Sequence, residues 1–219
     1  MSASASRAAS ESASPRSMPG RRRAQLVQGT TSPSDGRRLS LADVQALQAD
    51  PSTENRVALA AKFGRQYDQL VSGETRPLAN AVLELLVRDV ERKVRQALAE
   101  AIAGSPNLPF KVAVDLARDE IDVARPILER SPVLSDADLA DIVRSHAIRY
   151  ALAVAGRERL SEHLSDLLAD TGEPQVVARL VGNVGAQLSA ATLSRITEDH
   201  SDDCDVQDRL IRRSTSCEP

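Results

Sequence analysis

The sequence contains no tryptophan and very few other aromatic residues. Phe63, Phe110, Tyr67 and Tyr150 are the only ones, which is 2% of 219 residues. Folds built on β-sheets depend on aromatic and β-branched side chains, so this scarcity argues against a β-rich fold. Most of the 42% apolar residues are Ala, Leu and Val, and these small side chains let helices pack closely. The composition therefore predicts an all-α protein.

Cysteine and long apolar runs are also scarce. The two cysteines, Cys204 and Cys217, both lie near the C-terminus, so they cannot form a disulfide framework across the chain. This usage agrees with a reducing compartment. No apolar run approaches the roughly 20 residues that a bilayer-spanning helix needs, and no secretory signal pattern is present. We therefore expect a cytoplasmic protein without a membrane span.

The sequence also lacks the motifs of the common reaction chemistries. It has no Gly-x-Ser-x-Gly elbow, no glycine-rich phosphate loop and no His-Glu-x-x-His helix. His200 and Cys204 could present two metal ligands on one helix, but a structural zinc site needs four. We expect no catalytic residues, no metal, no cofactor and no small-molecule substrate, and hence a protein that is not an enzyme.

Charge is distributed unevenly along the chain. The formal net charge is -3, but residues 1–38 hold seven Arg against Glu11 and Asp35, a net of +5, which leaves -8 for the remainder. Residues 1–38 are rich in Ser, Arg, Gly and Pro, so they cannot bury enough apolar surface to fold, and we expect a disordered basic arm. The acidic remainder argues against a nucleic-acid groove.

A pattern of three residues recurs after this arm: an aliphatic residue, Asp three positions later, and Arg six positions after the Asp. The copies are Leu47, Asp50 and Arg56; Leu86, Asp89 and Arg95; and Leu116, Asp119 and Arg125. Each copy predicts a helix, a tight turn at the Asp, and a second helix that carries the Arg. Turns at positions 50, 89, 119, 145, 170 and 199 predict about six short helix pairs, stacked as a right-handed α-solenoid (an alpha-alpha superhelix).

The six-residue spacing from Asp to Arg resembles that of HEAT repeats. In that family the Asp lies in the turn, the Arg lies on the second helix, and the two form bonds between neighbouring repeats along one edge. The resemblance implies either this stabilising ladder or a partner-binding edge, and capping by the Asp favours the ladder. The residues concerned are Asp50, Arg56, Asp89, Arg95, Asp119, Arg125, Arg149, Asp170 and Arg179.

The regular spacing ends after Arg125. Ser145 stands in place of the next Asp and precedes Arg149 by four residues, while Asp170 precedes Arg179 by nine. The later copies are shortened to about 26 residues, as in leucine-rich-variant repeats, which they resemble.

Two residues of the third copy allow sharper expectations. Asp119 and Arg125 should stabilise the stack and share an interaction, because the Asp can cap its own helix and contact an Arg of this or a neighbouring repeat. Pro126 follows Arg125 inside a helical pattern. It lies either in the first turn of its helix, where it is tolerated and which we favour, or in a kink that opens a groove.

A second resemblance covers about residues 40–199. The run from Asp119 to Ser135 is similar to an uncharacterised bacterial family, common in alphaproteobacteria and known only as a domain of unknown function. The resemblance implies a bacterial protein with a helical-repeat fold, and it implies no activity.

These features divide the chain into an arm (1–38), a HEAT-like helical repeat domain (39–199) and a polar tail (200–219) with one short helix around Val206 to Ile211. Repeat folds of this type usually present extended binding surfaces. We therefore expect a non-catalytic scaffold or regulatory adaptor for an unidentified protein partner. The alternative is a nucleic-acid-associated HEAT-like protein that uses the basic arm, although the DNA glycosylases of that kind are rich in aromatic and basic residues.

Overall fold

The computed structural model describes residues 41–216, and within this range the regular structure is helical. The arm predicted over residues 1–38 lies outside the described residues, as does Cys217. The helices are α1 (Leu41–Ala49), α2 (Thr53–Leu70), α3 (Arg76–Val87), α4 (Arg92–Ile102), α5 (Phe110–Ala117), α6 (Ile121–Arg130), α7 (Asp136–Ser145), α8 (Ile148–Ala155), α9 (Glu162–Ala169), α10 (Pro174–Val181), α11 (Ala190–Asp199) and α12 (Cys204–Ser216). The all-α fold is confirmed. The described part of the chain contains no strand, only an isolated bridge between Leu160 and Ala186.

The helices pack in the order of the chain and form two layers. In the even layer, α2 packs on α4, α4 on α6, α6 on α8, α8 on α10, and α10 on α12. In the odd layer, α3 packs on α5, α7 on α9, and α9 on α11. Stacked helix pairs require this order of packing. The right-handed superhelix itself stays a prediction.

Small and aliphatic side chains fill the space between the layers. Leu98, Leu116, Ile127 and Leu164 are fully buried in one continuous core. Gly64 allows α2 to lie close against α4, since a Cβ atom there would lie 2.6 Å from the Ala101 Cβ. Helices of about three turns are not stable alone, so their stability comes from this burial between neighbours.

Serine residues start three helices of the odd layer at similar intervals. The hydroxyls of Ser135, Ser161 and Ser189 each accept a hydrogen bond from the backbone amide three residues later. Each serine thereby satisfies one of the free amides that a helix leaves at its start. These caps fix where α7, α9 and α11 begin, and with them the phase of each later repeat.

The packed helices extend beyond the predicted repeat domain. Helix α12 lies within the stretch predicted as a polar tail, runs well past the short helix expected there, and packs on α10. Val206 is fully buried, and Arg213 donates to the carbonyls of Val181, Asn183 and Ala186. The apolar pattern of α12 is weak because Val206, Leu210 and Ile211 are its only large aliphatic residues.

Pro126 lies in the second turn of α6 and is buried, so the first-turn position expected for it is wrong. Its nitrogen cannot donate to the carbonyl of Asp122, four residues earlier.

Candidate partner-binding face

Two ion pairs of the predicted ladder form, and each joins neighbouring repeats. Arg56 on α2 lies 3.5 Å from Asp89 in the turn before α4. Arg95 on α4 binds Asp119 in the turn before α6 through two bonds, 2.6 Å from Nε to Oδ2 and 2.9 Å from Nη2 to Oδ1. Arg95 also donates to the carbonyl of Asp89 at 2.8 Å. The forked guanidinium therefore holds two successive turns together.

The Asp119 carboxylate accepts three hydrogen bonds, two from Arg95 and one from the Glu120 amide. Burial by itself would raise the pKa of Asp119, but the hydrogen bonds from Arg95 and from the Glu120 amide outweigh it and hold the pKa below its usual value. The hydrogen bond to Asp119 also raises the pKa of Arg95. Tyr150 on α8 donates to the Asp119 carbonyl at 2.7 Å, so this turn contacts three successive even helices.

Within the part of the chain that the structure describes, the Asp50 carboxylate bonds to residues of its own turn and of the first turn of α2. Its carboxylate accepts bonds from the amide and hydroxyl of Ser52 at 3.2 and 3.0 Å and from the Asn55 side chain at 3.2 Å. It therefore orders the start of α2, as expected for an Asp at a helix entry.

The ladder stops at Arg125 because the preceding turn is one residue shorter. Asp89 precedes the first residue of α4 by three positions, whereas Asp119 precedes the first residue of α6 by two. The ladder Arg is the fourth residue of α2 and α4, but the fourth residue of α6 is the buried Ala124. Arg125 is the fifth residue of α6, so it lies about 100° around the helix from the ladder position, and it is exposed. The predicted interaction between Asp119 and Arg125 is wrong, since the partner of Asp119 is Arg95.

The remaining predicted residues do not join a common edge. Asp170 pairs with Arg195 on α11 at 2.6 Å. Arg179 pairs with Glu129 on α6 at 3.3 Å, and its guanidinium crosses Gly156, where a Cβ atom would lie 2.2 Å from Nη2. Arg149 is exposed and forms no ion pair with any residue that the structure describes.

The structure shows a second set of inter-repeat bonds that the sequence analysis did not predict. Each lies at the carboxyl end of an even helix, where a later side chain donates to carbonyls of the preceding even helix or of the loop after it. The donors are Arg130 to Glu100, Arg157 to Leu128 and Ser131, Asn183 to Ala155 and Arg157, and Arg213 to Val181, Asn183 and Ala186. Cations near the last carbonyls also complement the helix dipole. The recurrence of these donors every 26 to 30 residues is a signal in the sequence.

The two layers carry opposite charge. Helices α4, α6, α8 and α10 hold seven Arg and Lys against three Asp and Glu, a net of +4. Helices α3, α5, α7, α9 and α11 hold four Arg and Lys against nine Asp and Glu, a net of -5. The even layer is therefore basic although the chain as a whole is acidic.

The three acidic residues of these even helices are already engaged by arginines. Asp122 pairs with Arg92 at 3.2 Å, Glu100 with Arg130 at 2.7 Å, and Glu129 with Arg179 at 3.3 Å. Three further cations, Lys93, Arg125 and Arg149, are exposed on α4, α6 and α8 and have no ion-pair partner within residues 41–216. We call these three residues the cationic face.

Residues 41–216 contain neither a membrane-spanning helix nor a cluster of metal ligands. Across α1–α12, no helix combines the length and hydropathy of a segment that could cross a membrane. No group of three His, Cys, Asp or Glu side chains is arranged to hold a metal ion in residues 41–216.

Comparison with known proteins identifies one family. Residues 123–216 match the model of DUF2336, an uncharacterised protein family conserved in bacteria. The resemblance to this family is confirmed, although the match begins later than residue 40 and extends past residue 199 to include α12. It covers Arg125, Arg149 and all four of the carboxyl-end donors but neither ladder ion pair. No curated protein and no solved structure matches the chain.

Proposed function

We propose that the chain is a non-catalytic scaffold or regulatory adaptor that binds another protein through the exposed side of its even layer. The proposal deepens the expectation drawn from the repeats, because it assigns the binding surface to one of the two layers. It also places the protein among bacterial interaction modules of the cytoplasm.

The observation that carries the proposal is the separation of charge between the layers. A net of +4 on four packed helices costs free energy through self-repulsion. Four of their seven cations are paired with carboxylates of the same helices or of their entry turns, whereas Lys93, Arg125 and Arg149 have no ion-pair partner within residues 41–216. Charged groups kept unpaired at a surface steer a partner of opposite charge and select against wrong partners. The cationic face is therefore better suited to recognition than to stability.

The polar groups that join neighbouring repeats favour a structural role over a catalytic one. Arg95 and Asp119 satisfy each other and are largely buried, with side-chain exposures of 15% and 17%. Arg157 is occupied by the carbonyls of Leu128 and Ser131. A general acid, base or nucleophile must reach a substrate proton or atom, and these groups are enclosed by their own repeats.

The experiment is reconstitution of a complex from purified components. The full chain is immobilised, proteins of a bacterial extract are captured and identified, and each candidate is purified and tested with the chain by size-exclusion chromatography. We expect at least one candidate to co-elute with the chain at a fixed stoichiometry. The proposal fails if no captured protein forms a complex once purified.

A further inference from the structure

We infer that the cationic face binds an acidic segment of a partner protein. This inference rests on the proposed function and names the chemistry of the partner. An incoming carboxylate would meet Arg125 or Arg149 without displacing an existing ion pair, because neither has one with any described residue.

Helical spacing places these two arginines on the open side of the layer. On α6, Asp122, Arg125 and Glu129 are separated by three and four residues and so share one side of the helix. Arg149 and Leu152 on α8 and Gly156 just after it have the same spacing. The bond from Arg179 to Glu129 crosses Gly156, which shows that both stripes face the same side.

The distance between the arginines suits a short segment. Helices α6 and α8 pack directly, and packed helices lie about 8–10 Å apart. Acidic side chains seven residues apart on a helix, or two to three apart on an extended strand, span about that distance. Two carboxylates of one segment can therefore engage Arg125 and Arg149 together. Leu152, partly buried on the same stripe of α8 as Arg149, can add an apolar contact for the same segment.

The same surface is poorly arranged for nucleic acid. Asp122 and Glu129 flank Arg125 on its own stripe and would repel a continuous phosphate backbone. Single-stranded nucleic acid is bound on exposed aromatic side chains, and the even layer from α4 to α10 has only Tyr150, whose hydroxyl donates to the Asp119 carbonyl. The separate carboxylates of a peptide suit a stripe of alternating acidic and basic residues better than a continuous phosphate backbone does.

The test measures binding of defined probes to the full chain by fluorescence anisotropy. One probe is a labelled peptide of repeated Glu-Glu-Leu-Ala, and its control has Gln in place of every Glu. The third probe is a single-stranded DNA oligonucleotide with the same number of negative charges. The test variant is Arg125→Glu with Arg149→Glu. The matched control is Arg88→Glu with Lys111→Glu, which makes the same charge change on exposed residues that end α3 and begin α5.

We expect the wild type to bind the Glu peptide at least about tenfold more tightly than the Gln peptide or the DNA. The test variant should lose that preference, while the control variant should stay within about twofold of the wild type. Both variants should show wild-type circular dichroism and melting.

Three results would overturn the inference: equal losses in both variants, tighter binding of DNA than of the Glu peptide, or no binding of the peptide at all. In the last case, a reconstituted complex that the test variant still forms would support the scaffold role but place its binding surface away from Arg125 and Arg149.

Discussion

The first three repeats are joined by ion pairs at the amino ends of their even helices, and the later repeats are not. Between α2, α4 and α6, ion pairs from Arg56 and Arg95 bridge successive turns. In α6, α8 and α10 the corresponding fourth position holds Ala124, Ala151 and Val177, all buried. The later repeats lack these ion pairs and are tied at their carboxyl ends by arginine and asparagine side chains, a series that begins with the bond from Arg130 on α6 to the Glu100 carbonyl on α4. One architecture can therefore keep its register through charge at one end or through carbonyl capping at the other.

The largest expected effect tests the carboxyl-end bonds. Arg157→Ala removes the donors to the carbonyls of Leu128 and Ser131 and should cost about 3 kcal/mol, because bonds from charged donors are worth roughly 1.5–3 kcal/mol each and share one side chain. We expect the melting temperature to fall by about 6–12 °C. Arg159→Ala, an exposed neighbour without an ion pair in the described range, is the control and should melt like the wild type. Equal melting of both variants would show that these caps contribute nothing.

The next effect tests the ladder. Arg95→Ala and Asp119→Ala should each cost about 2 kcal/mol, or about 4–8 °C in melting temperature, since each breaks the same two-bond ion pair. The double variant should lose less than the sum of the single losses, which a double-mutant cycle on urea unfolding measures. Lys93→Ala, two residues earlier on the same helix, should be close to neutral. Additive losses would mean that the two side chains do not interact.

A pH titration tests the ion pair between Asp119 and Arg95 independently. The pKa of Asp119 is lower in the folded chain than in the unfolded chain, so the unfolded state binds more protons in acid and this stabilisation is lost as pH falls. The stability difference between wild type and Asp119→Asn should be full at neutral pH and shrink below about pH 4, where free Asp titrates. Urea unfolding at a series of pH values measures it. A difference that stays constant down to pH 3 would contradict the assignment.

The smallest expected effect is at Arg125. Arg125→Ala should change stability by less than about 0.5 kcal/mol, since the side chain is exposed and bonds to no described residue. Its melting curve, compared with that of Arg95→Ala, separates a residue that holds repeats together from one that faces solvent. A loss as large as that of Arg95→Ala would restore the interaction expected from the six-residue spacing.

The sequence pattern predicted much of this fold because apolar periodicity and turn residues act locally. The helices around Asp89 and Asp119 begin and end close to where the pattern places them. Arg125 was misplaced because counting from the Asp ignores the length of the turn, and one residue changes the helical phase by about 100°. The carboxyl-end bonds were missed because their acceptors are backbone carbonyls, which every residue carries and no residue type identifies.

The reach of Arg179 has a further consequence for how the helices unfold. Its bond to Glu129 links α10 to α6 across Gly156 at the end of α8, so it couples second neighbours. Stability in a repeat array is usually described as a sum of single-repeat and nearest-neighbour terms, and this contact belongs to neither. Fraying that begins at α12 and reaches α10 should therefore be felt in the last turn of α6 while α8 is still folded. In hydrogen exchange, amides near Glu129 would then open together with those of α10.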